Sequence, residues 1–380
     1  MNKKATELLK QYGFERIKAA DMIDSYNFED RKLVEIVKAT YFNPKIVVID
    51  ETTTALSQEG REELYKHMER IRKSGNTVIF ISHDLPEIIE KSDTITILRD
   101  GVYIDTVKSK DVNENDLKKL MVGREVTGDY YRSDYGEKVS DEVVLSVKDV
   151  TVPGLIENVS FDLHKGEILG FGGLSESGMH EIGKAIFGAS YDREGTVELA
   201  DGTQINDIPT AIKHSIAYTS KDRDNESVVL NQSIGDNICL PSLDELSGPA
   251  HLISDKKKKD FANKFAKQMS VKMVDVNQFV SNLSGGNKQK VVLARWIGKD
   301  SDIVVLDSPT RGIDIKVKQD IYQLMNQMRK NGKSIIMISE ELMELIGMCD
   351  RIMIMKDGKI SGELERDQNL DENGLITMMV

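Results

Sequence analysis

Residues suited to phosphate chemistry gather in a few short stretches of this 380-residue sequence. Ser284-Gly285-Gly286-Asn287 is a glycine turn that opens a helical pattern, and unencumbered backbone N–H groups at a helix start favour an anion. Downstream, Ile303–Leu306 is too short and too β-branched for a helix. It reads as a buried parallel strand whose C-terminal end presents Asp307. An open α/β sheet puts its ligand chemistry at that end of a strand. Asp50 and Glu51 end a similar strand, Ile46–Ile49, and His83 follows the strand Thr77–Ile81. A third stretch, GEILGFGG, leads into the frame Gly173-x4-Gly178-Met179-His180. Singly, each has an ordinary structural reading: a turn, a strand cap, a solvated carboxylate pair, a packed imidazole.

The elements that must position these residues come twice. Sliding residues 26–107 forward by 257 positions lays them on 283–364 without a gap. PKIVVIDETTTAL falls on SDIVVLDSPTRGI, so that Asp50 meets Asp307, Asp93 meets Asp350 and Gly101 meets Gly358. Each copy is expected to run strand, helix, strand, then a β-turn-β unit. Leu64, Met68 and Ile71 in one helix, and Ile321, Leu324, Met325 and Met328 in the other, have core spacing. The copies are unequal. Met1 lands on Lys258, so about 115 residues of the second copy, from Val143 onward, have no counterpart in the first. The expected organisation is 1–121 for the partial first copy, a polar linker at 122–142, and 143–380 for the complete second copy.

Bulk composition narrows the function. A net charge of −12 argues against nucleic acid as a main partner, since phosphate neutralisation needs a basic face. Two cysteines, Cys239 and Cys349, make no disulfide framework and read as packing thiols in a reducing compartment. No apolar stretch approaches the roughly 20 residues a bilayer span needs, and the N-terminus lacks the h-region of a signal peptide. A soluble cytoplasmic chain is expected, any membrane contact coming through a partner. The run Lys256–Lys259 reads as a solvated helix face.

Taken together, LSGGNKQKVVLARW and the strand ending in Asp307-Ser308-Pro309-Thr310 resemble the signature motif and Walker B strand of an ATP-binding-cassette (ABC) ATPase. The wording through PTRGID resembles the second cassette of the tandem ATPases that drive monosaccharide importers, and LMVGRE resembles the linker after their first cassette. The resemblance implies an α/β fold of P-loop NTPase-like cassettes, one partial and one complete, each a mainly parallel sheet with flanking helices and a helical subdomain. It implies ATP and Mg²⁺ as cofactors. Asp50 would hold Mg²⁺ through water, Glu51 would orient or deprotonate the attacking water, and His83 would contact the γ-phosphate. Ser284, Gly285, Gly286 and Asn287 would clamp the nucleotide from the other copy. Gly173, Gly178 and Asp307 mark the second copy's own nucleotide frame.

Several positions depart from the family pattern. Asn27-Phe28-Glu29-Asp30 stand where the first copy should carry its glycines, and two carboxylates repel a phosphate. In the second copy Met179 replaces the phosphate-binding lysine and His180 the magnesium-binding hydroxyl. Glu176 adds an anion inside the frame. Ser308 stands where Glu51 stands and Glu340 where His83 stands, and loss of a positioned base costs roughly 10²–10⁴ in rate. Lys221 replaces an expected acidic residue in the loop 217–238, which faces the permease in the family. The losses are complementary, so one composite site should be competent and one dead.

The expected role is the ATP-binding subunit of a sugar importer, peripheral at the cytoplasmic face of the membrane. It would act on membrane permease subunits and, through them, an extracytoplasmic sugar-binding protein. The first phosphate loop would come from a separate upstream polypeptide unless the product is truncated, and the chain alone is expected to be inactive in ATP hydrolysis. The rival readings are a non-catalytic remnant or regulatory protein on the permease, and an ABC-type nucleic-acid ATPase.

Overall fold

A computed structural model describes the chain except residues 1, 27, 51, 57, 83, 100–101, 115, 118–119, 121–129, 135–138, 175, 249–250, 314, 368–369, 371 and 380. The backbone contacts divide it into two compact units, Met1–Thr127 and Gly128–Val380.

The first unit begins with α1 (Asn2–Gln11) and α2 (Phe28–Thr40). Then come β1 (Ile46–Asp50), α3 (Gln58–Lys73), β2 (Thr77–Ile81), the short helix α4 (Leu85–Lys91), β3 (Thr94–Arg99) and β4 (Val102–Lys108). β1 and β2 pair in parallel, β3 and β4 pair antiparallel, and the two pairs form separate sheets. Leu33, Leu64, Phe14 and Val47 centre the core of this unit.

The second unit starts with a three-stranded antiparallel sheet of β5 (Val143–Val152), β6 (Ile156–His164) and β8 (Glu194–Leu199). Between β6 and β8 run β7 (Ile168–Gly173) and α5 (Met179–Ile186). Next are α6 (Ile208–Lys213), β9 (Ile216–Thr219), α7 (Ile234–Cys239), α8 (Asp255–Gln268) and α9 (Gly285–Lys299). The last stretch is β10 (Ile303–Asp307), α10 (Ile315–Lys330), β11 (Ser334–Ile338), α11 (Leu342–Met348), β12 (Arg351–Lys356), β13 (Lys359–Glu365) and α12 (Glu372–Met379). A six-stranded sheet runs β13-β12-β7-β11-β10-β9, parallel except at the β12–β13 pair.

The sequence repeat is a structural one. From β1 to β4, each element lies 257 residues before its counterpart between β10 and β13. The short helices α4 and α11, absent from the expected strand order, fill the gap before each β-turn-β unit. The copies differ in what joins the strands. In the second, β7 lies between β11 and β12 and fuses two strand pairs into one sheet. Gly170 and Gly172 let α11 cross close over β7: a Cβ on Gly170 would lie 2.7 Å from Cys349 Sγ, and one on Gly172 2.8 Å from a Leu345 methyl. In the first unit no described strand takes the place of β7, and the two pairs stay apart.

Burial follows from that difference. Every residue of β10 and β11 is buried, sandwiched between helices and flanked by strands on both edges. In β1 and β2, Ile46, Val48, Ile79 and Ile81 on the corresponding positions remain 45–58% exposed. A row of β-branched side chains stays wet because nothing among the described residues covers it.

Part of the expected linker is an anchor. Tyr130 and Tyr131 pack on Tyr322 with ring centroids 5.4 and 5.3 Å away, and Tyr131 lies over Gly347, where a Cβ would come within 2.3 Å of its ring. Arg132 is buried, donating to Asp350 at 2.7 Å and to the Met348 carbonyl at 2.8 Å. The polar wording YYRSD hid these contacts, because its apolar content is aromatic and its charges are paired with distant residues.

Candidate functional site

The glycine turn Ser284–Asn287 sits at the head of α9, the 15-residue helix. Ser284 has extended dihedrals but does not cap the helix with its side chain. Its Oγ accepts from Asn287 Nδ2 at 2.9 Å, and Asn287 Oδ1 accepts from the Lys272 backbone at 2.7 Å. The side chains thus tie the turn to itself and to residue 272, which leaves the backbone donors of the first turn to a ligand. A Cβ on Gly285 would stand 3.2 Å from Arg223 Nη2 and 3.4 Å from the Gly312 carbonyl, so a side chain there would crowd the guanidinium. Arg223 belongs to the loop 217–238 in sequence; the fold brings its guanidinium beside this turn, adding positive charge to the helix N-terminus.

In the first copy the equivalent segment opens α2. Asn27 lies outside the described residues, and of Phe28 and Glu29 only the backbone is described. Asp30 is buried and accepts from Arg16 Nε at 2.7 Å. Asp50 is exposed at the end of β1. Glu51 and His83 lie outside the described residues. The residues flanking them, Thr53 and Ser82, both donate to Glu87, at 3.0 and 2.7 Å.

That arrangement is built twice. Glu344, fully buried, accepts from Thr310 and Ser339 at 2.8 Å each and from Tyr322 at 2.5 Å, with Lys318 at 3.4 Å. Thr53, Tyr65, Ser82 and Glu87 are the same four residue types 257 positions earlier, and Tyr65 likewise donates to Glu87. Burial and the Glu344 charge push the Tyr322 phenol well above its ordinary pKa, which keeps it a donor. In each copy the carboxylate pins the turn after the first strand to the turn after the second. The only sequence signal is the offset itself, since a Glu inside a seven-residue helix reads as solvated.

The frame at the start of α5 is shaped by packing. Gly178 has φ +89°, and a Cβ there would meet Ile156 Cγ2 and the Leu155 carbonyl at 2.6 Å. A Cβ on Gly173 would strike Ser177 Oγ at 2.2 Å and the Met355 carbonyl at 2.8 Å. Both glycines therefore answer to the fold, with or without a phosphate. Met179 is fully buried in the core. Ser308 follows β10 with a left-handed φ of +49°, its backbone N–H donating to Ile338 at 2.8 Å.

His180, Asp307, Lys221 and Glu340, from four separate segments, converge. His180 Nδ1 lies 2.7 Å from Asp307 Oδ1, and its Nε2 lies 3.0 Å from Lys221 Nζ and 3.4 Å from Glu340 Oε1. Lys221 Nζ donates to Glu340 Oε1 at 2.6 Å. Burial opposes a charge on the ring, but its hydrogen bonds to Asp307 and Glu340 outweigh it and raise the His180 pKa. A neutral ring donates through Nδ1 to Asp307 and accepts from Lys221; a protonated ring turns Nε2–H toward Glu340. The cluster satisfies either form. Lys221, whose role the sequence left open, points inward.

Elsewhere, Cys239 and Cys349 are buried free thiols. Lys256, Lys257 and Lys259 are exposed, while Lys258 pairs with Asp236. Among the described residues, no helix is long and apolar enough to cross a membrane.

Residues 156–311 match the ABC transporter family. The ribose import ATP-binding protein RbsA of Lactococcus lactis subsp. cremoris is 39% identical over 374 residues, covering 98% of this chain and 75% of its own length. The xylose import ATP-binding protein XylG of Thermoanaerobacter pseudethanolicus is 43% identical over 344 residues, covering 88% of this chain and 68% of its own. Among solved structures, a bacterial ABC transporter cassette in dimeric form aligns with TM-score 0.52 at 22% identity, over 59% of this chain and 99% of that one. A nucleotide-free ATP-binding cassette aligns with TM-score 0.53 at 17% identity, over 63% and 99%. These last two show the fold, an α/β ABC cassette of the P-loop NTPase type. With the glycine turn, the strand-end carboxylates and the twofold repeat, the sequence relatives place this chain in the family of ABC-type sugar-import ATP-binding proteins.

Proposed function

We propose that the chain is the ATP-binding subunit of an ABC importer for a monosaccharide, acting at the cytoplasmic face of the membrane on permease subunits and, through them, on an extracytoplasmic sugar-binding protein. One Mg²⁺-ATP would be used, with Asp50, Glu51 and His83 from the first copy and Ser284–Asn287 from the second contributing to the same site. The observation that carries this division of labour is the contrast between the two strand-end aspartates. Asp50 is exposed and available at the end of β1, whereas Asp307 is buried and bonded to His180.

The 380 residues contain no G-x4-G-K-[ST]. The first copy would then draw its phosphate loop from residues outside these 380, on the same chain or another, and the apolar face of β1 and β2, bare among the described residues, supports that reading. The test is ATP hydrolysis by the chain alone, then with a polypeptide supplying a complete first-cassette phosphate loop, in the presence of permease. We expect no appreciable turnover alone, turnover on addition, and its loss in Glu51→Gln. Turnover by the chain alone would overturn the reading. Permease binding with no turnover under any condition would favour a non-catalytic subunit.

A further inference from the structure

We propose that the second copy's nucleotide frame has no magnesium site, and that Lys221, a cation supplied by the protein, holds it closed through the His180 ring. The inference rests on the assignment of the second unit to the ABC cassettes and extends it to a site whose residues do not fit the expected metal.

Magnesium requires oxygen ligands in near-octahedral array and gives up its water reluctantly. At the position that would supply a hydroxyl oxygen, the chain supplies the imidazole of His180. The strand-end carboxylate is already engaged: Asp307 Oδ1 bonds His180 Nδ1 at 2.7 Å and Ser308 Oγ at 3.1 Å. An ammonium stands on the other side of the ring, with Lys221 Nζ 3.0 Å from Nε2. A dication entering here would meet a fixed positive charge and an imidazole already bonded to one oxygen of the carboxylate. Asp307 Oδ2 is buried without a hydrogen-bond partner among the described residues, a feature that could still attract a metal.

The cluster also does the mechanical work that a metal and a phosphate would otherwise do. His180 belongs to the first turn of α5, Asp307 to the end of β10, Lys221 to the segment after β9 and Glu340 to the segment after β11. A chain of contacts at 2.7, 3.0 and 2.6 Å ties all four together across the sheet's C-terminal edge. Its carboxylates, Asp307 and Glu340, face the imidazole and the Lys221 ammonium, so the protein itself places a positive charge in the cluster. Of the other charged groups nearby, Lys184 pairs with Glu226 at 2.8 Å, and Glu226 is held by Ser220. Met179, buried where a phosphate-binding lysine would stand, adds no charge.

Hydrogen exchange measured by mass spectrometry on the full chain tests this. The four segments to follow are 179–186, 219–223, 303–308 and 338–341. We expect their exchange to be the same for the protein alone, with Mg²⁺-ATP, and with ATP plus a chelator. In Lys221→Met they should exchange about tenfold faster in the absence of any ligand, the effect of losing charged hydrogen bonds. Slower exchange in these segments on adding Mg²⁺-ATP to the wild type would show an ordinary metal-nucleotide site and overturn the inference. Unchanged exchange in Lys221→Met would show that the cluster holds nothing, with the same consequence. Should Lys221→Met fail to fold, Glu340→Gln at the cluster's more exposed rim keeps the shape and removes one charge; faster exchange again supports the inference, and no change refutes it. Failure of the sugar-import reading would show instead as absent turnover or absent permease binding, which these segments do not report.

Discussion

His67 is nearly inaccessible in the first unit, its ring tilted 4.7 Å from Tyr12 and edge-on 5.6 Å from Phe14, with Nε2 buried and without a partner among the described residues. Burial is the main cause that lowers its pKa below the ordinary 6.5. The unfolded ring takes its proton near pH 6.5 while the folded ring resists it, so below that pH the unfolded state binds more protons. Stability of the first unit should therefore fall as pH drops from about 6.5 and level off only below the lowered folded value. Thermal unfolding followed by calorimetry between neutral pH and pH 5 checks this. His67→Phe should remove most of the dependence, and an unchanged pH profile in that variant would assign the acid sensitivity elsewhere.

The paired helices α4 and α11 are too short to be stable alone, and each is held by one buried carboxylate. Glu344 has Lys318 at 3.4 Å as well as three neutral donors, whereas in the first unit Arg61 turns instead to the Thr53 carbonyl at 3.1 Å and to Asp84 at 3.7 Å. Glu344→Gln should therefore cost about 3 kcal/mol, because it faces an amide to groups that donate and takes one of two carboxylates from Lys318, which keeps Glu341 at 2.7 Å. Glu87→Gln should cost about 1–2 kcal/mol, the weakening of hydrogen bonds from hydroxyl donors with no cation involved. Urea unfolding gives both numbers. Equal costs would show that the lysine adds nothing to the second cluster. The glycines around α5 belong to the same level: Gly178 and Gly173 are required by neighbours at 2.6 and 2.2 Å, so they carry no information on whether a nucleotide binds.

Across the molecule, the decisive difference between the copies is one strand. With β7 in place, ten strand positions of β10 and β11 are buried; without a described equivalent, β1 and β2 keep four large apolar residues in water. The first unit should accordingly be the less stable. Calorimetry should resolve two transitions. Trp296, the single tryptophan, is buried in the second unit, so its fluorescence should follow only the upper one. The lower transition should carry the acid sensitivity of His67. One coincident transition in both probes would show that the units unfold together and would refute the ranking.

The amino-acid sequence by itself determined the repeat, the ABC family, the strand ends carrying Asp50 and Asp307, and the helix opened by Ser284–Asn287. Those features are local: a glycine turn, a β-branched run and a fixed offset are set by neighbours along the chain. Tertiary structure alone decided that Lys221 reaches His180 and Glu340, that Arg223 lies beside Gly285, that YYRSD is an anchor, and that Glu87 and Glu344 are buried twins. Each of these joins residues far apart in sequence through side chains whose pattern looks solvated. A charge declares its partner only when folding brings the two within reach and water is excluded from both.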